Sequence, residues 1–192
     1  GNAYIATWNS PGVTKVHPNG TVSDFTGYVQ KFWWGCAAAI SPTGNLYLAH
    51  KDAIHRLDPE TGAVLREIGD LADVAGVVSD NEENIYVSVM GQNRILRISA
   101  DLGTTTTLTE IQGPGRLAFG PDGFLYVAAG SAVWRLDKKT GKSTMFAGGL
   151  PKLVDLAFAV EAPATSKFAM PLNSKFKTAF TTQSTTQAQA EV

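Results

Sequence analysis

Hydrophobic and polar residues alternate in short runs along most of this chain, and the same arrangement of runs recurs. Residues 46–57 read LYLAHKDAIHRL, and residues 125–136 read LYVAAGSAVWRL. In both, two apolar stretches flank a polar turn, and Gly, Pro, Asn or Asp bound the runs, as is typical of β-hairpins. No stretch shows the sustained 3.6-residue apolar period of a helix. The pattern therefore predicts an all-β chain.

Two marks show that the pattern is an internal repeat. Tyrosines recur at intervals of 43, 39 and 40 residues, at Tyr4, Tyr47, Tyr86 and Tyr126. A hydrophobic-x-basic-hydrophobic pattern follows each of them, with its basic residue at Lys15, Arg56, Arg97 and Arg135. A period of about 40 residues filled with short strands is typical of β-propeller blades. We therefore predict a β-propeller of four-stranded antiparallel blades at about residues 3–28, 36–69, 76–111 and 116–147.

The two ends of the repeat region complement each other. The first repeat begins at its second strand, whereas residues 153–159 resemble the first strand of a further repeat. Residues 153–159 are therefore expected to pair beside residues 4–7 and close a propeller domain of residues 1–160. The alternative is a partial ring, truncated or completed by a second chain.

Residues 161–192 differ from the repeats and are predicted to form a C-terminal arm and a polar tail. Residues 161–165 read as a linker, and residues 181–192 have the polar low complexity of disordered sequence. Residues 166–180 contain five large apolar side chains, at Phe168, Met170, Leu172, Phe176 and Phe180. This segment is expected to pack on its own domain or to mediate self-association by strand addition.

Composition narrows the functional classes. The net charge is −1 and only 17% of residues are charged, which disfavours nucleic-acid binding through phosphate neutralisation. No apolar run is long enough to predict a membrane span. Cys36 is the only cysteine, which excludes an internal disulfide and a cysteine metal cluster. Low charge and the Thr/Ser/Gln-rich end favour an extracellular or periplasmic protein.

Two segments carry a resemblance to known propellers. Residues 76–98, GVVSDNEENIYVSVMGQNRILRI, resemble an NHL-type repeat. Residues 54–62, IHRLDPETG, are echoed at residues 133–141 and resemble streptogramin-lyase-like and gluconolactonase-like propellers. The resemblance covers residues 3–160 and implies a propeller fold. These families usually close with six or seven blades, so four repeats favour a partial ring.

The resemblance to enzymes does not extend to a catalytic motif. Gluconolactonase-like enzymes hold a divalent metal in the central channel, but their acidic residue in a Glu-Gly-Pro context has no match here. Asp80 and Asp122 lie in predicted turns and are expected to be turn formers. The three histidines, His17, His50 and His55, show neither a metal-ligand spacing nor a base–nucleophile pair. No catalytic residue, metal ligand or cofactor is therefore predicted, and the repeated cations are expected to be structural.

A binding site is predicted on the face formed by the loops between second and third strands and by the connections between blades. These loops differ from repeat to repeat, as a recognition surface requires. Aromatic side chains there could stack on a sugar or anchor a protein, although Trp33 and Trp34 could instead plug the central channel. The predicted ligand-binding residues are Trp8, Asn9, Trp33, Trp34, His50, Asp52, Gln92, Asn93 and Arg116.

The sequence thus predicts a non-enzymatic binding or assembly module with a protein or carbohydrate ligand. One alternative is a fragment of a lactonase-like or lyase-like enzyme. Another is a structural subunit linked to its neighbours through the C-terminal arm.

Overall fold

The computed structural model describes residues 1–6, 13–25, 37–153 and 155–158, all within one compact unit, Gly1–Phe158. The described residues form fifteen β-strands and one single-turn 3₁₀ helix, Met90–Gln92. The strands are β1 Ala3–Ala6, β2 Val13–Val16, β3 Val22–Asp24, β4 Ala37–Ile40, β5 Leu46–His50, β6 Ala53–Leu57, β7 Val64–Ile68, β8 Val74–Ser79, β9 Ile85–Val89, β10 Arg94–Ile98, β11 Thr105–Glu110, β12 Pro114–Phe119, β13 Leu125–Ala129, β14 Ala132–Leu136 and β15 Ser143–Ala147.

The strands form four antiparallel meanders, which we call blades 1 to 4. Blade 1 contains β1, β2 and β3, and the other blades contain β4–β7, β8–β11 and β12–β15. Each repeated tyrosine lies on the second strand of its repeat, directly opposite the repeated cation: Tyr4 pairs with Lys15, Tyr47 with Arg56, Tyr86 with Arg97 and Tyr126 with Arg135. The predicted all-β blade architecture is confirmed.

Side chains on the second strand of blade 2 point alternately to the two neighbouring blades. On β5, Leu46 and Leu48 pack in a cluster with Val13 and Phe25 of blade 1. Tyr47 and Ala49 lie on the other side, in a cluster that contains Ile85 of blade 3. Because successive residues of a strand face opposite sides, each blade has a backward face toward the preceding blade and a forward face toward the following one. The core therefore lies between blades rather than within them.

The turn between the third and fourth strands of a blade contacts the forward face of the preceding blade. In blades 2 and 4 this turn ends in a glycine with a left-handed backbone, Gly62 (φ +73°) and Gly141 (φ +72°). A Cβ atom at either position would lie 2.0 Å from a carbonyl oxygen of the preceding blade, that of Phe25 or Leu108. The repeated Thr-Gly sequence therefore serves both the turn and the close approach of two blades.

The described residues do not close a ring. Within the described residues, β1 pairs only with β2, and none of residues 153 and 155–158 is in a strand. Closure of blade 1 by residues 153–159 therefore stays a prediction. The predicted arm and tail at residues 161–192 lie outside the described residues. No helix in the described part of the chain is long and apolar enough to cross a membrane.

Candidate functional site

The predicted ligand-binding face falls partly outside the described part of the chain. Trp8, Asn9, Trp33 and Trp34 all lie in ranges that the structure does not describe. His50, Asp52, Gln92, Asn93 and Arg116 are described, and they belong to blades 2, 3 and 4.

His50 forms a buried pair with His55, a residue that the sequence reasoning did not connect to it. The two Nε2 atoms lie 2.9 Å apart, and the rings stack with centroids 4.9 Å apart. The strand register explains the contact, because His50 pairs with Ala53 and His55 pairs with Leu48, which places the histidines diagonally on one face. Their exposures are 7% and 5%, so His50 is a buried residue at the end of β5. Diagonal spacing across a short hairpin was the signal that could have identified the pair.

The surroundings of His55 favour a neutral imidazole. Burial lowers the pKa of His55, and the Glu67 carboxylate, 3.8 Å from His55 Nδ1, opposes this only in part. A neutral pair can share one hydrogen bond, with one Nε2 donating and the other accepting. Two imidazole nitrogens at this separation could also contact one transition metal ion. However, no three His, Cys, Asp or Glu side chains in the described ranges converge on a possible metal site.

The predicted residues of blade 3 serve mainly to shape their own loop. Asn93 has a left-handed backbone (φ 53°), and its side-chain oxygen accepts a hydrogen bond of 2.9 Å from the Gly113 amide. Its backbone carbonyl also accepts a bond of 2.9 Å from the amide of Ile111. Gln92 accepts hydrogen bonds from the Arg94 guanidinium. Asn93 therefore fixes the connection between blades 3 and 4.

The other two predicted residues, Asp52 and Arg116, lie in different settings. Asp52 is exposed in the turn after β5, and its carbonyl accepts a 3.0 Å hydrogen bond from the Leu71 amide. Arg116 is partly buried on β12, the first strand of blade 4. Of the predicted set, the structure thus brings Gln92 and Asn93 into one turn, and it places His50 and Asp52 at one end of the β5–β6 hairpin.

The repeated cations and the turn aspartates form structural networks. Arg135 reaches the Asp122 carboxylate at 2.9 Å, and the Tyr126 hydroxyl donates to the same oxygen at 2.9 Å. The other oxygen of Asp122 accepts from the Phe124 amide. Asp122 is therefore a turn former, as expected, and Arg135 forms an ion pair with it within blade 4.

Asp80 has a similar role and also joins two blades. One of its oxygens accepts from the Glu82 and Asn84 amides at 2.9 Å, and the other accepts from Tyr86 at 3.1 Å and from Lys138 of blade 4 at 2.8 Å. Burial tends to raise the pKa of Asp80, but the hydrogen bonds from Lys138 and Asn84 outweigh it and hold the pKa below its usual value. Burial, together with the nearby carboxylate, raises the pKa of Tyr86. These groups are thus held in one charge state by their structural contacts.

Neither the known protein-family models nor the curated protein sequences match this chain significantly. Solved structures do match. Virginiamycin B lyase from Staphylococcus aureus is 21% identical, with a TM-score of 0.63 over 76% of this chain and 52% of its own. A gluconolactonase from Xanthomonas campestris is 15% identical, with a TM-score of 0.65 over 77% of this chain and 59% of its own. A structure of a nidogen/laminin complex matches at 15% identity and a TM-score of 0.68, over 79% of this chain and 62% of the matched chain.

This chain therefore spans between 52% and 62% of the length of the three matched structures. Sequence identities at this level indicate a shared fold and do not show a shared reaction or ligand. Together with the four antiparallel sheets, these matches show that this chain has the β-propeller fold.

Proposed function

We propose that this protein is a non-enzymatic binding module that recognises another protein on its loop face. We define the loop face as the end of the blades that carries the β5–β6, β9–β10 and β13–β14 turns and the connections between blades. This proposal rests on a contrast between two sets of residues: those that repeat from blade to blade make structural contacts, whereas those of the loop face vary. Tyr4, Lys15, Tyr86, Tyr126 and Arg135 repeat between blades and are engaged in contacts within or between them.

The described residues of the loop face differ from blade to blade. The turn after the second strand carries Lys51 and Asp52 in blade 2, Met90 and Gln92 in blade 3, and Gly130 in blade 4. Met90 is 48% exposed although it is a large apolar side chain. A rigid scaffold that presents dissimilar exposed loops is the usual arrangement of a recognition surface.

A protein ligand is favoured over a carbohydrate by two observations. The exposed Met90 side chain is flexible and apolar, which suits a protein surface better than a hydroxyl-rich sugar. In addition, one of the matched structures is a nidogen/laminin complex. The carbohydrate alternative depends on Trp8, Trp33 and Trp34, which lie outside the described residues. The proposal includes an extracellular or periplasmic location, which the low charge of the chain favours.

Site-specific photo-crosslinking tests the proposal. A photoreactive residue is placed at Met90 in one sample and at Glu60, an exposed residue of the opposite face, in a matched control. Each protein is exposed to the secreted proteins of the source cells. A specific partner should be captured from Met90 and not from Glu60. The purified partner should then bind the unaltered chain, and M90D should weaken binding by roughly tenfold or more.

Three results would contradict this assignment. One is capture through Glu60 alone, together with a loss of affinity only in variants of the face opposite the loop face. A second is glycan-array binding with no protein partner, which would support the carbohydrate alternative. A third is turnover of a lactone or of a streptogramin by the purified chain, which would support the enzymatic alternative.

A further inference from the structure

The turn between β2 and β3 carries a short sequence that the proposed function does not use. Residues 19–21 read Asn-Gly-Thr, which fits the N-glycosylation acceptor pattern Asn-x-Ser/Thr. No other asparagine in the chain has Ser or Thr at the second position after it. Such a triplet can be modified only where its asparagine is accessible, as in a surface turn of an exported protein. The accessibility of Asn19 is therefore decisive.

All three residues of this triplet are exposed. The turn is closed by two backbone hydrogen bonds of 2.9 Å, from the His17 amide to the Thr21 carbonyl and from the Gly20 amide to the His17 carbonyl. Beyond its chain neighbours, no atom of the described residues lies within 4 Å of a Cβ built on Gly20. A sugar attached beside Gly20 therefore has room without a change in the backbone.

The exposure of Asn19 does not depend on whether another blade packs against this turn. The turn of blade 1 is one residue shorter than those of blades 2 and 4, but Asn19 is the third residue after its strand, as Glu60 and Lys139 are. The turns of blades 2 and 4 each contact a preceding blade, at Gly62 and Gly141. Glu60 and Lys139 are nevertheless exposed. The third position of the turn therefore lies outside the contact between blades.

The Asn19 side chain is oriented by Thr21. Its Oδ1 accepts hydrogen bonds from the Thr21 amide at 3.0 Å and from the Thr21 hydroxyl at 2.7 Å. Because both donors lie at the oxygen, the Nδ2 amino group faces the other way, and it makes no hydrogen bond to the described residues. The nitrogen that receives the sugar in N-glycosylation is therefore not engaged by the fold.

The turn itself needs only the oxygen of this side chain. In blades 2 and 4 the first turn residue is an aspartate, Asp58 or Asp137, and its carboxylate accepts hydrogen bonds from two amides of the turn. Blade 1 has His17 at this position, and Asn19 supplies the side-chain acceptor instead. Asp and Asn close such turns through the same side-chain oxygen. The amide nitrogen of Asn19 is thus available for a role other than folding.

We propose that Asn19 is an N-glycosylation site. An oligosaccharyltransferase of the source cells joins Asn19 Nδ2 to the anomeric carbon of a lipid-phosphate-linked oligosaccharide. The bond between that carbon and the phosphate oxygen breaks, the lipid phosphate leaves with the electron pair, and Nδ2 loses one proton. The turn lies at the end of blade 1 opposite the loop face, so the glycan leaves the loop face accessible. This inference rests on the export of the chain that is part of the proposed function, but not on the protein partner.

Mass spectrometry of the protein exported by its source cells tests this inference. Trypsin releases residues 16–31 as one peptide, because Lys15 and Lys31 define its ends. This peptide should carry the mass of an oligosaccharide. Peptide-N-glycosidase in heavy-oxygen water should remove that mass and convert Asn19 to an aspartate that carries the heavy oxygen. The label distinguishes enzymatic release from spontaneous deamidation before the treatment.

Three variants made in the source cells separate the acceptor from the turn. N19D keeps the oxygen that closes the turn and removes the acceptor nitrogen, so it should lose the glycan and keep the β-sheet circular dichroism of the unaltered protein. T21V removes the hydroxyl and should also lose the glycan, whereas T21S, the matched control, keeps the hydroxyl and should keep the glycan. N19D should bind the loop-face partner as tightly as the unaltered chain.

Two results would overturn the inference. One is an exported chain whose peptide of residues 16–31 has only its unmodified mass. The other is a glycan that persists in N19D or in T21V. An exported, unmodified chain that is still captured through Met90 would overturn this inference alone and leave the proposed function standing. A chain found only inside the source cells would contradict both, because both include its export.

Discussion

At the scale of single residues, Asp80 is the group that joins blade 3 to blade 4 electrostatically. Its side chain is 3% exposed and its Lys138 partner is 21% exposed. A buried carboxylate needs a cation or several donors, because desolvation of an unpaired charge is costly. Asp80 has both, and the cation comes from the neighbouring blade.

Replacement of Lys138 by Met should destabilise the fold by on the order of 2 kcal/mol, below the roughly 3–5 kcal/mol for a fully buried pair. The reason is that Asp80 keeps its charge and loses its cation. Urea unfolding measures this loss. The control is K139M at the exposed neighbour, whose unfolding free energy should stay within about 0.5 kcal/mol of the unaltered chain.

The contribution of the pair to stability should depend on pH. Because the folded pKa of Asp80 is lowered, the pair stabilises the fold above the unfolded pKa of about 3.9, and this stabilisation is lost as the pH falls through the folded pKa. The difference between K138M and the unaltered chain should therefore shrink in acid, and equal effects of K138M and K139M would argue against the pair.

The His50–His55 pair predicts a second pH dependence. Burial lowers the pKa of His55 in the folded state, so between that value and the unfolded pKa of about 6.5 the unfolded chain binds more protons. Unfolding free energy should be constant above this window and fall as the pH decreases through it, by up to about 1.4 kcal/mol per pH unit for one group. H55Q should flatten the slope and H17Q, a change outside the pair, should preserve it. A slope that survives in H55Q would show that other groups cause it.

At the scale of elements, the turn between third and fourth strands decides how closely two blades approach. Gly141 and Gly123 both lie in turns of blade 4 and both have positive φ angles, of 72° and 77°. They differ in surroundings, because a Cβ on Gly141 would meet the Leu108 carbonyl at 2.0 Å and one on Gly123 would meet nothing within 4 Å. A comparison of these two glycines therefore separates the cost of backbone strain from the cost of a blade contact.

G123A should cost roughly 1–2 kcal/mol, the usual penalty of a left-handed non-glycine residue. G141A should cost that amount and a further loss of roughly 2 kcal/mol or more, because blades 3 and 4 must separate to admit the methyl group. Chemical unfolding of the two variants compares them directly. Equal losses would mean that the turn alone, and not the junction, requires glycine.

The strands could be predicted from the sequence because their signals are local. Tyr86 and Arg97 lie on adjacent strands of one hairpin, and the alternation around them fixes which side each residue faces. Contacts between blades were not predictable in this way. Lys138 is 58 residues from Asp80, and only the folded stack brings them together. His50 and His55 were missed for a different reason, since their spacing is meaningful only once the hairpin register is known.

At the scale of the whole molecule, the blades form a one-dimensional series. The core clusters join blade 1 with 2, blade 2 with 3, and blade 3 with 4. In such a series, each unit is stabilised by its own strands and by its nearest neighbours. Blade 3 has a neighbour on both sides, whereas blade 1 has one neighbour and only three strands in the described residues.

Amide hydrogen exchange of the full chain should therefore be slowest in β9 and β10 and fastest in β1 and β2, because local opening follows local stabilisation. Peptide-level exchange measured by mass spectrometry gives this order. Protection of β1 that rises with protein concentration would identify a second copy as its partner. Strong protection of β1 at every concentration would instead support closure within one chain by residues 153–159. Uniform exchange across all blades would contradict the open series.

The blades share one strand arrangement, yet their junctions are not interchangeable. The turn of blade 3 carries its left-handed backbone at Leu102 (φ 59°), a buried leucine whose carbonyl accepts a 3.0 Å hydrogen bond from Arg66 of blade 2. Blades 2 and 4 instead present a glycine to Phe25 or Leu108 of the preceding blade. Loss of blade 3 alone would bring Arg66 against a turn built for Leu108. Loss of blades 2 and 3 together would bring Phe25 against Gly141, which matches its present partner. The contacts between blades thus depend on the order of the repeats. Such a chain can gain or lose two adjacent blades more readily than a single blade.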